Sequence, residues 1–480
     1  MVLSDLLPGV AAAIAATPVA SLALDSRAVR PGALFAALPG RKADGRAFIP
    51  AAIAAGASVI LAPSGTRLDA PGVALVTDDE PRRLLAQIAA RFYGRQPATT
   101  VAVTGTNGKT SVAHFTRQIW TALGLAAASL GTLGLAAPGR AEKGALTTPD
   151  PLSLHRLLAE LAADGVEHLA FEASSDGLDQ FRVDGVRLAA AAFTNLTRDH
   201  LDTHGSMEAY RAAKRRLFAE LLPAGAPAVL NADSPDFAAL AALCRTRGCP
   251  VLDYGRAGRA LTLLSARPTA QGQDLDLAVR GARHSLHLPL AGTFQAANAL
   301  AALGLVLATG GDADAAIAAL QTLEGVPGRL QKVATRANGA AVYVDYAHTP
   351  DALETVLTAL RPHATGRLVA LFGCGGDRDP GKRPEMGAIA QRLADRVIVT
   401  DDNPRSEAAA PIRAAILAAC PKGEEIADRR AAIRAAVAAL AAGDLLVLAG
   451  KGHESGQIVG TEILPFNDAD EARAAVETTP

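Results

Sequence analysis

The sequence predicts an α/β protein of three domains. Three observations support this: the length, the alternation of strand-like and helix-like segments, and a glycine-bearing loop that joins a strand to a helix. The chain has 480 residues, which is more than one compact core usually holds. Half of the residues are apolar and 20% are charged, so we expect sizeable cores rather than disorder.

Charge and cysteine content exclude several classes of function. The formal net charge is -1, so no overall basic field exists to hold nucleic acid or anionic lipid. The cysteines form no Cys-x-x-Cys pair, which argues against a zinc site or a disulfide framework. No stretch offers the ~20 strongly apolar residues of a membrane span, and the N-terminus lacks the basic start of a signal peptide. We therefore expect a cytoplasmic monomer without a nucleic-acid partner or stable membrane insertion.

The first predicted domain, residues 1–97, is a small α/β domain. In it, short strands alternate with alanine-rich helices, as where residues 51–56 lead into a strand at 58–61. A turn at 95–97 ends this domain.

The second domain is predicted at residues 98–327 and the third at 328–480. In the second, strands at 168–171 and 227–230 alternate with helices, which is typical of a parallel sheet covered on both faces. Residues 325–328, Gly-Val-Pro-Gly, suit a linker. Beyond them, buried-type strands at 341–344, 368–372 and 445–448 predict a Rossmann-like α/β domain.

A phosphate-binding loop is predicted at residues 104–110, Thr-Gly-Thr-Asn-Gly-Lys-Thr, between a strand and a helical pattern that begins near Ser111. Small residues let backbone N–H groups close on phosphate oxygens, and the helix N-terminus adds positive potential. Lys109 is expected to reach the outer phosphates and Thr110 to ligate Mg²⁺. The alternative is a tight turn with a solvated lysine. The predicted ATP-binding residues of this loop are Gly105, Thr106, Asn107, Gly108, Lys109, Thr110 and Ser111.

With this loop the chain resembles the Mur ligase family, ATP-dependent amide-bond ligases that extend the peptide of the cell-wall precursor. The related folylpolyglutamate synthases share the loop, so the loop alone identifies only the superfamily. The resemblance covers nearly the whole chain. It implies a uridine-binding N-terminal domain, a central ATPase domain of the phosphate-loop type, and a C-terminal domain that binds the amino-acid substrate.

Glu172 and His200 each follow a strand-like run, so both are expected at the carboxyl ends of strands. Open α/β sheets place ligands at that edge, where Glu172, His200 and Thr110 can converge on metals that bridge nucleotide phosphates and a substrate carboxylate. The residues alone would favour a hydrogen-bonded loop histidine for His200. In Mur ligases, however, the matching glutamate and histidine are magnesium ligands.

Lys214 lies in a predicted helix at 207–222, where composition alone favours a solvated lysine. The pattern Tyr-x-x-Ala-Lys-x-x-Leu-Phe at 210–218 resembles the Mur segment whose lysine is carbamylated by CO₂. The resemblance thus implies an N6-carboxylysine that binds a second Mg²⁺. It also implies an acyl phosphate that an amine attacks, with catalysis by positioning and charge screening. The predicted catalytic residues are Lys109, Glu172, His200 and Lys214.

Further nucleotide contacts follow from the resemblance. Asn298 matches a residue that contacts adenine, although alone it would be interpreted as a helix-surface amide. Arg329 matches an arginine that lies against the nucleotide at the start of the third domain. Asp345 is assigned to the ribose and His348 to the neighbourhood of the nucleotide.

The patterns at 24–40 and 44–49 resemble the uridine-binding domain of the ligases that add the third residue, and Ser26 is the candidate for a contact to UDP. Arg182 suits a phosphate or carboxylate, with a surface charge as the alternative. Asp176 and Thr203 depart from the family, which more often has histidine and an aromatic residue there. The residues matched to the muramoyl-dipeptide are Thr147, Thr148, Ser174, Gln180 and Arg182.

The amine substrate is predicted from Asp-Asn-Pro-Arg at 402–405, a signature of the family's diaminopimelate-adding members that could also be a simple turn. Meso-diaminopimelate ends in an ammonium and a carboxylate, and a guanidinium can bind that carboxylate bidentately. L-Lysine lacks this carboxylate and would leave a buried Arg405 unpaired. The implied diaminopimelate-binding residues are Arg378, Asp402, Asn403, Pro404, Arg405, Gly450 and Glu454.

Together these residues predict an ATP-dependent ligase that joins meso-diaminopimelate to UDP-N-acetylmuramoyl-L-alanyl-D-glutamate in peptidoglycan synthesis, with ADP and phosphate as products. The implied cofactors are ATP, two Mg²⁺ ions and a CO₂-derived carbamate. The alternatives are an L-lysine-adding ligase, a folylpolyglutamate synthase and a nucleotide-binding regulator without ligase activity.

Overall fold

A computed structural model describes residues 1–40, 43–197 and 201–478, without the side chains of Leu201 and Asp202. The chain divides into two compact units. The first comprises Met1–Asp253 and Gly304–Asp312, and the second Tyr254–Leu303 and Ala313–Pro480. The α/β class is confirmed, whereas the domain boundaries at 97/98 and 327/328 stay a prediction. None of the described helices is both long enough and apolar enough to cross a membrane.

The first unit begins with a parallel sheet of strand order β1-β2-β3-β4. One face of the sheet packs Leu34, Val59 and Leu61 against helix residues such as Leu85, and Phe35 lies on the other face. This is the small α/β arrangement predicted for the N-terminal region. Its elements are α1 (Leu3–Leu6), α2 (Ala12–Ala15), β1 (Ser21–Ala23), 3₁₀ turns at Ser26–Ala28 and Gly45–Phe48, β2 (Ala33–Ala36), α3 (Ile49–Ala54), β3 (Ala57–Pro63), β4 (Ala74–Asp78) and α4 (Pro81–Tyr93).

The rest of the first unit is built on strands ordered β11-β10-β5-β9-β6-β7-β8. The strands from β11 to β6 are parallel, and β6, β7 and β8 are antiparallel. The elements are β5 (Thr99–Thr104), α5 (Lys109–Ala122), β6 (Ala127–Gly131), β7 (Gly134–Ala137), β8 (Arg140–Glu142), α6 (Pro151–Ala163), β9 (His168–Glu172), α7 (Ser175–Asp179), β10 (Leu188–Phe193), α8 (Leu201–His204), α9 (Met207–Arg216), a π-helical turn (Leu217–Leu221), β11 (Ala228–Asn231) and α10 (Phe237–Thr246). Strand β5 therefore lies between β9 and β10, so the segments that follow these three strands meet at one edge.

The helix predicted at 207–222 is divided in the structure. It begins after the N-cap Ser206, whose side chain accepts a hydrogen bond from the backbone N–H of Ala209, and its α-helical part ends at Arg216. A π-helical turn follows, in which Leu217 and Phe218 are both fully buried in the core.

The second unit contains three antiparallel strands, a C-terminal sheet and a hairpin. Residues 251–253, at the start of its first strand, and 304–308, at the end of its first helix, belong to the first unit. Its elements are β12 (Val251–Gly255), β13 (Leu261–Thr269), β14 (Gly272–Val279), β15 (Ala282–Leu288), α11 (Thr293–Ala308), α12 (Ala313–Ala319), 3₁₀ turns at Leu320–Thr322 and Arg361–His363, β16 (Gln331–Thr335), β17 (Ala341–Asp345), α13 (Pro350–Leu360), β18 (Leu368–Phe372), α14 (Lys382–Leu393), β19 (Arg396–Val399), α15 (Ala409–Leu417), β20 (Glu424–Glu425), α16 (Arg429–Ala438), β21 (Leu445–Ala449), β22 (Gly456–Val459), β23 (Glu462–Pro465) and α17 (Asp468–Thr478).

Strands β13, β14 and β15 are antiparallel, although the sequence predicted alternating helices and parallel strands up to residue 326. The turns between them are too short for a crossover helix, and β14 alternates buried Leu275, Leu277 and Val279 with more exposed residues. The C-terminal sheet has the order β16-β17-β21-β18-β19-β20 and is parallel except for β16. Apolar clusters cover both of its faces, as expected for a Rossmann-like domain.

Candidate active site

The predicted phosphate loop connects β5 to α5. Helix α5 begins at Lys109, slightly before the predicted start near Ser111. Gly105 has φ +147°, and a Cβ there would overlap the hydroxyl of Thr194, so only glycine fits. Gly108, the N-cap, has φ +87°. The loop thus packs tightly against Thr194 and Asn195, at a position where only glycine can stand.

The segment after β10 holds this loop in place, a role that the sequence analysis did not assign. The backbone N–H of Thr106 donates to the carbonyl of Asn195 at 2.8 Å, and that of Asn107 donates to Asn195 Oδ1 at 3.0 Å. Thr194 Oγ1 donates to the carbonyl of Asn107 at 2.6 Å. The available signal was that Asn195 directly follows a strand, at the same sheet edge as the loop.

Two lysine ammonium groups share one carbonyl oxygen in the loop. Lys109 Nζ donates to the oxygen of Gly105 at 2.9 Å, and Lys214 Nζ donates to the same oxygen at 2.7 Å. Lys214 is 2% exposed and lies over the ring of Tyr210, with Nζ 4.4 Å from the ring centroid. The hydroxyl of Tyr210 is 3.1 Å from Thr106 Oγ1. Lys214 is therefore a buried residue of the loop's surroundings, not a solvated helix lysine.

Glu172 ends β9 beside the loop, where it pairs with Val103 of β5. It is 1% exposed, and its Oε1 accepts a hydrogen bond from the backbone N–H of Thr132 at 2.8 Å. The carboxylate fills the space that a Cβ at Gly131 would need. Thr132 is thus a positioning residue for Glu172 that the sequence analysis missed. His200 lies outside the described residues, so its position is not assigned.

The donor set near the loop suits a hard cation. Glu172 supplies a carboxylate and Thr110 a hydroxyl, and oxygen ligands of this kind are the ones that Mg²⁺ prefers. Within the described ranges, no group of three His, Cys, Asp or Glu side chains is placed to hold a metal ion. Glu172 and Thr110 are thus the described candidates for oxygen ligands of a Mg²⁺ ion at this edge, and the predicted ligand His200 lies outside the described residues.

The residues matched to the muramoyl-dipeptide adjoin Glu172. Thr148 Oγ1 donates to the carbonyl of Glu172 at 2.8 Å and lies 3.0 Å from Ser174 Oγ. Thr147 Oγ1 lies 3.0 Å from Thr132 Oγ1. These side chains form one hydrogen-bonded polar cluster beside the predicted magnesium ligand.

Arg182 is fixed by three acceptors. Its Nη1 donates to the carbonyl of Thr148 at 2.9 Å, and its Nη2 donates to Asp176 Oδ2 at 2.8 Å and to Gln180 Oε1 at 3.1 Å. Gln180 Nε2 in turn donates to Asp176 Oδ1 at 2.7 Å. Asp176, one of the two departures from the family pattern, thus forms an ion pair with a predicted substrate-binding arginine.

A cavity of about 110 Å³ lies between this cluster and the N-terminal part of the first unit. Leu24 and Arg82 from that part line it together with Gln180 and Arg182. Ser26 lies in the nearby 3₁₀ turn and is half-buried, but it is not among the lining residues. Its contact to UDP stays a prediction.

The other predicted nucleotide residues belong to the second unit. Asn298 is buried on α11, and its Nδ2 donates to Gln295 Oε1 at 2.9 Å, so it is not a surface amide. Arg329 lies 5.1 Å from the ring centroid of Tyr346, and its buried Nε has no hydrogen-bond partner among the described residues. That donor suits an acceptor on a bound ligand. His348 Nδ1 is 2.9 Å from the carbonyl oxygen of Tyr346.

Asp345 has a local structural role. Its carboxylate accepts hydrogen bonds from the backbone N–H groups of Leu330 at 2.6 Å and Ala347 at 2.8 Å. Burial raises the pKa of this carboxyl to about 6, against the opposing effect of Arg329. Asp345 therefore holds in place the backbone next to Arg329 and the backbone next to His348. Its contact to ribose stays a prediction.

The residues predicted to bind the amine converge in the second unit, although they lie far apart in the chain. Asn403 Nδ2 donates to Glu454 Oε2 at 2.8 Å, and a Cβ at Gly450 would lie 2.6 Å from Asp402 Oδ2. Burial raises the pKa of the Asp402 carboxyl. Asp402, Asn403 and Pro404 are buried.

Arg405 is held in an uncommon conformation. Its φ is +53°, in the left-handed region that residues other than glycine rarely adopt. Its Nη1 donates to the carbonyl of Gly376 at 2.8 Å. A Cβ at Gly375 would lie 2.7 Å from Arg405 Nη1 and 3.8 Å from Arg378 Cγ, so the two arginines flank one glycine. The structure thus brings together every residue predicted for this site.

Three family profiles match the chain. They are described as "Mur ligase family, catalytic domain" at residues 18–93, "Mur ligase middle domain" at 103–306 and "Mur ligase, glutamate ligase domain" at 328–452.

Two relatives named UDP-N-acetylmuramoyl-L-alanyl-D-glutamate--2,6-diaminopimelate ligase match almost end to end. The chain is 58% identical to that of Caulobacter vibrioides, over 96% of each chain. It is 55% identical to that of Chelativorans sp., over 99% of this chain and 98% of the relative. A solved structure of a ligase with this name superposes with a TM-score of 0.78 at 32% identity and covers 99% of both chains. The chain therefore belongs to the Mur ligase family, in the three-domain α/β fold that the sequence predicted.

Proposed function

We propose that the protein uses ATP to join meso-diaminopimelate to UDP-N-acetylmuramoyl-L-alanyl-D-glutamate, giving the tripeptide precursor, ADP and phosphate. The observation that carries this proposal is the convergence of Arg405 and Glu454 on Asn403. An arginine and a carboxylate at one site match the carboxylate and ammonium at the far end of diaminopimelate. The names of the near-full-length relatives support the same substrates.

Arg405 carries the choice between diaminopimelate and lysine. Its Nη1 is already bonded to a backbone carbonyl, while Nε and Nη2 make no hydrogen bond with any residue that the structure describes. These two donors form one edge of the guanidinium, which matches both oxygens of a carboxylate. L-Lysine has no group for this edge, so its binding would leave the arginine desolvated without a partner.

Nucleotide binding is assigned to the loop at 104–110, and members of this family use ATP. Backbone N–H groups at the start of α5 and the ammonium of Lys109 supply positive potential for the phosphates. Bound Mg²⁺, for which Glu172 and Thr110 provide oxygen ligands, would screen the repulsion between the phosphates and the substrate carboxylate. We assign Asn298, Arg329, Asp345 and His348 to nucleotide binding, and Ser26 to UDP.

Carbamylation of Lys214 is part of the proposal. The ammonium groups of Lys109 and Lys214 share the carbonyl oxygen of Gly105, so two like charges lie close together in a buried place. Replacement of one cation by a carbamate would turn this repulsion into an attraction and add an anionic oxygen ligand for a second Mg²⁺.

The acidic substrate would bind at the polar cluster of the first unit. Arg182, held by Thr148 and Asp176, is placed to bind an anionic group of the muramoyl-dipeptide. The ligase then transfers phosphate from ATP to the substrate carboxylate, and the amine displaces that phosphate. Rate enhancement would come from orientation and electrostatic stabilisation, because no nucleophilic side chain is required.

We assign uridine binding to residues 1–97, ATP binding to 98–327 and amino-acid binding to 328–480. We also place the enzyme in the cytoplasm. All four cysteines are free and buried, which suits a reducing compartment.

The test is phosphate release together with product mass from purified protein, Mg-ATP and UDP-N-acetylmuramoyl-L-alanyl-D-glutamate, with meso-diaminopimelate or L-lysine added in parallel. The proposal expects turnover with diaminopimelate and a tripeptide of the corresponding mass. Equal or preferred use of lysine would contradict the role of Arg405. No turnover with either amine would contradict the reaction itself.

A further inference from the structure

The predicted amine site contains a fully buried lysine to which no role has been assigned. Lys451 is 0% exposed, and its ammonium donates to Asn403 Oδ1 at 2.9 Å, Glu454 Oε2 at 2.9 Å and the carbonyl of Gly456 at 2.7 Å. An ammonium has three hydrogens, so all its donors are used. Lys451 is therefore not free to bind substrate, and it instead connects two predicted substrate ligands to the strand β22.

Lys451 also sets the orientation of the Asn403 amide. Asn403 Oδ1 accepts from Lys451 and from the backbone N–H of Ile458 at 2.9 Å, while Nδ2 donates to Glu454 Oε2 at 2.8 Å. A reversed amide would direct its NH₂ group at an ammonium and an N–H, which are both donors. In the described part of the chain, the side-chain hydrogen bonds of Glu454 all end on Oε2. Its Oε1 is thus left for the ammonium of an incoming amine.

The start of the β22–β23 hairpin holds the rest of the loop at 402–405. Gln457 Nε2 donates to the carbonyl of Asp402 at 2.7 Å. The backbone N–H of Arg405 donates to the carbonyl oxygen of Ile458 at 3.1 Å, and the backbone N–H of Gly460 donates to the carbonyl oxygen of Arg405 at 2.8 Å. Because Arg405 has a left-handed φ, it needs such contacts to remain in that conformation.

We propose that Lys451 and Gln457 are positioning residues for the amine substrate. They tie the loop at 402–405 to the hairpin, so that Arg405 and Glu454 present a carboxylate contact and an ammonium contact at a fixed separation. This inference rests on the proposed function. It adds that the choice of amine depends on two residues that make no contact with it.

A general structural role would have a different signature. If Lys451 and Gln457 only stabilised the fold, their loss would lower the melting temperature and affect all three substrates alike. If they position the amine ligands, the KM for diaminopimelate rises while the KM values for ATP and the UDP-dipeptide stay near those of the unmodified enzyme.

The experiment compares Lys451→Met and Gln457→Leu with the full-length enzyme. Ile463→Ser is the matched control, because Ile463 is 70% exposed on the same hairpin. Lys451→Met should raise the KM for diaminopimelate about tenfold or more, the change expected when buried polar groups lose a partner. Gln457→Leu should raise it by a smaller factor. In both variants the ratio of kcat/KM for diaminopimelate to that for L-lysine should fall, and the control should match the unmodified enzyme.

Unchanged KM for diaminopimelate in both variants, or equal rises in KM for all three substrates, would overturn the inference. Gln457→Leu removes one hydrogen bond to a backbone carbonyl, so it keeps the test decisive if Lys451→Met does not fold. The unmodified enzyme distinguishes a failure of the proposed function from a failure of the positioning role. If the unmodified enzyme does not use diaminopimelate, the proposed function fails. If it does, and the KM for diaminopimelate is unchanged in both variants, only the positioning role is refuted.

Discussion

Arg405→Lys tests the assignment of the amine site most directly. Lysine keeps the positive charge but has no planar fork, so it can replace only one of two parallel hydrogen bonds to a carboxylate. The loss of one charge-assisted bond costs about 1.5–3 kcal/mol, and 1.4 kcal/mol corresponds to about tenfold. The kcat/KM for meso-diaminopimelate should therefore fall by about 10- to 150-fold. The KM for ATP should not change, since Arg405 is assigned to the amine and not to the nucleotide.

The assay is coupled phosphate release at saturating ATP and UDP-dipeptide, with the amine varied. Thermal unfolding of the variant serves as the folding control. The activity with L-lysine as amine supplies the internal comparison. Because L-lysine lacks the carboxylate, the substitution should lower this activity much less. An equal loss for both amines would show that Arg405 does not contact that carboxylate, and an unchanged kcat/KM would remove it from the site.

Three further predictions concern other parts of the molecule. Lys214→Ala should abolish ligation, measured as product formation, and the carbamate proposal fails if substantial activity survives. Asp176→Asn should raise the KM for the UDP-dipeptide by about three- to tenfold, because Arg182 loses an ion pair worth about 1 kcal/mol. An unchanged KM would show that Arg182 does not bind this substrate. Asp444→Asn should lower the free energy of unfolding at pH 7 by about 1–3 kcal/mol, since the buried carboxylate accepts hydrogen bonds from Arg367. Burial raises the pKa of Asp444, but the hydrogen bonds from Arg367 and from the backbone N–H of Ala441 outweigh it and lower the pKa. The contribution of this carboxylate is therefore present above the ordinary value of 3.8 and is lost as the pH falls through the folded pKa. Urea titrations of both proteins that differ equally at pH 7 and pH 3 would contradict this.

Much of the fold follows from local patterns. The buried strands at 368–372 and 445–448 were predicted almost to the residue, because both are continuous apolar runs bounded by polar or turn residues. The antiparallel strands β13–β15 were not predicted, although the alternation of apolar and polar residues in β14 and the brief turns beside it are signals of a hairpin that the sequence offered. The π-helical turn after Arg216, where Leu217 and Phe218 are buried in the core, was predicted as a continuous α-helix because the spacing of apolar residues does not distinguish the two.

The candidate site divides in the same way. The loop at 104–110 and the tetrapeptide at 402–405 are contiguous in the chain, so their residue types and spacing were enough to predict them. The supporting residues were missed because their contacts are distant. Thr132 and Asn195 carry no motif of their own. The role of Asn195 depends on β10 lying beside β5, and that of Thr132 on β6 lying beside β9.

By itself, the sequence predicted the α/β class, most of the buried parallel strands, the loop at 104–110 and the residue types that suit each substrate. These depend on the intrinsic geometry of short segments and on the chemistry of single side chains. The tertiary structure alone decided that Lys214 reaches the carbonyl of Gly105, 109 positions away, and that Lys451 reaches Asn403, 48 positions away. Such contacts arise from the order of strands in a sheet and the packing of helices on it, which many distant residues determine together.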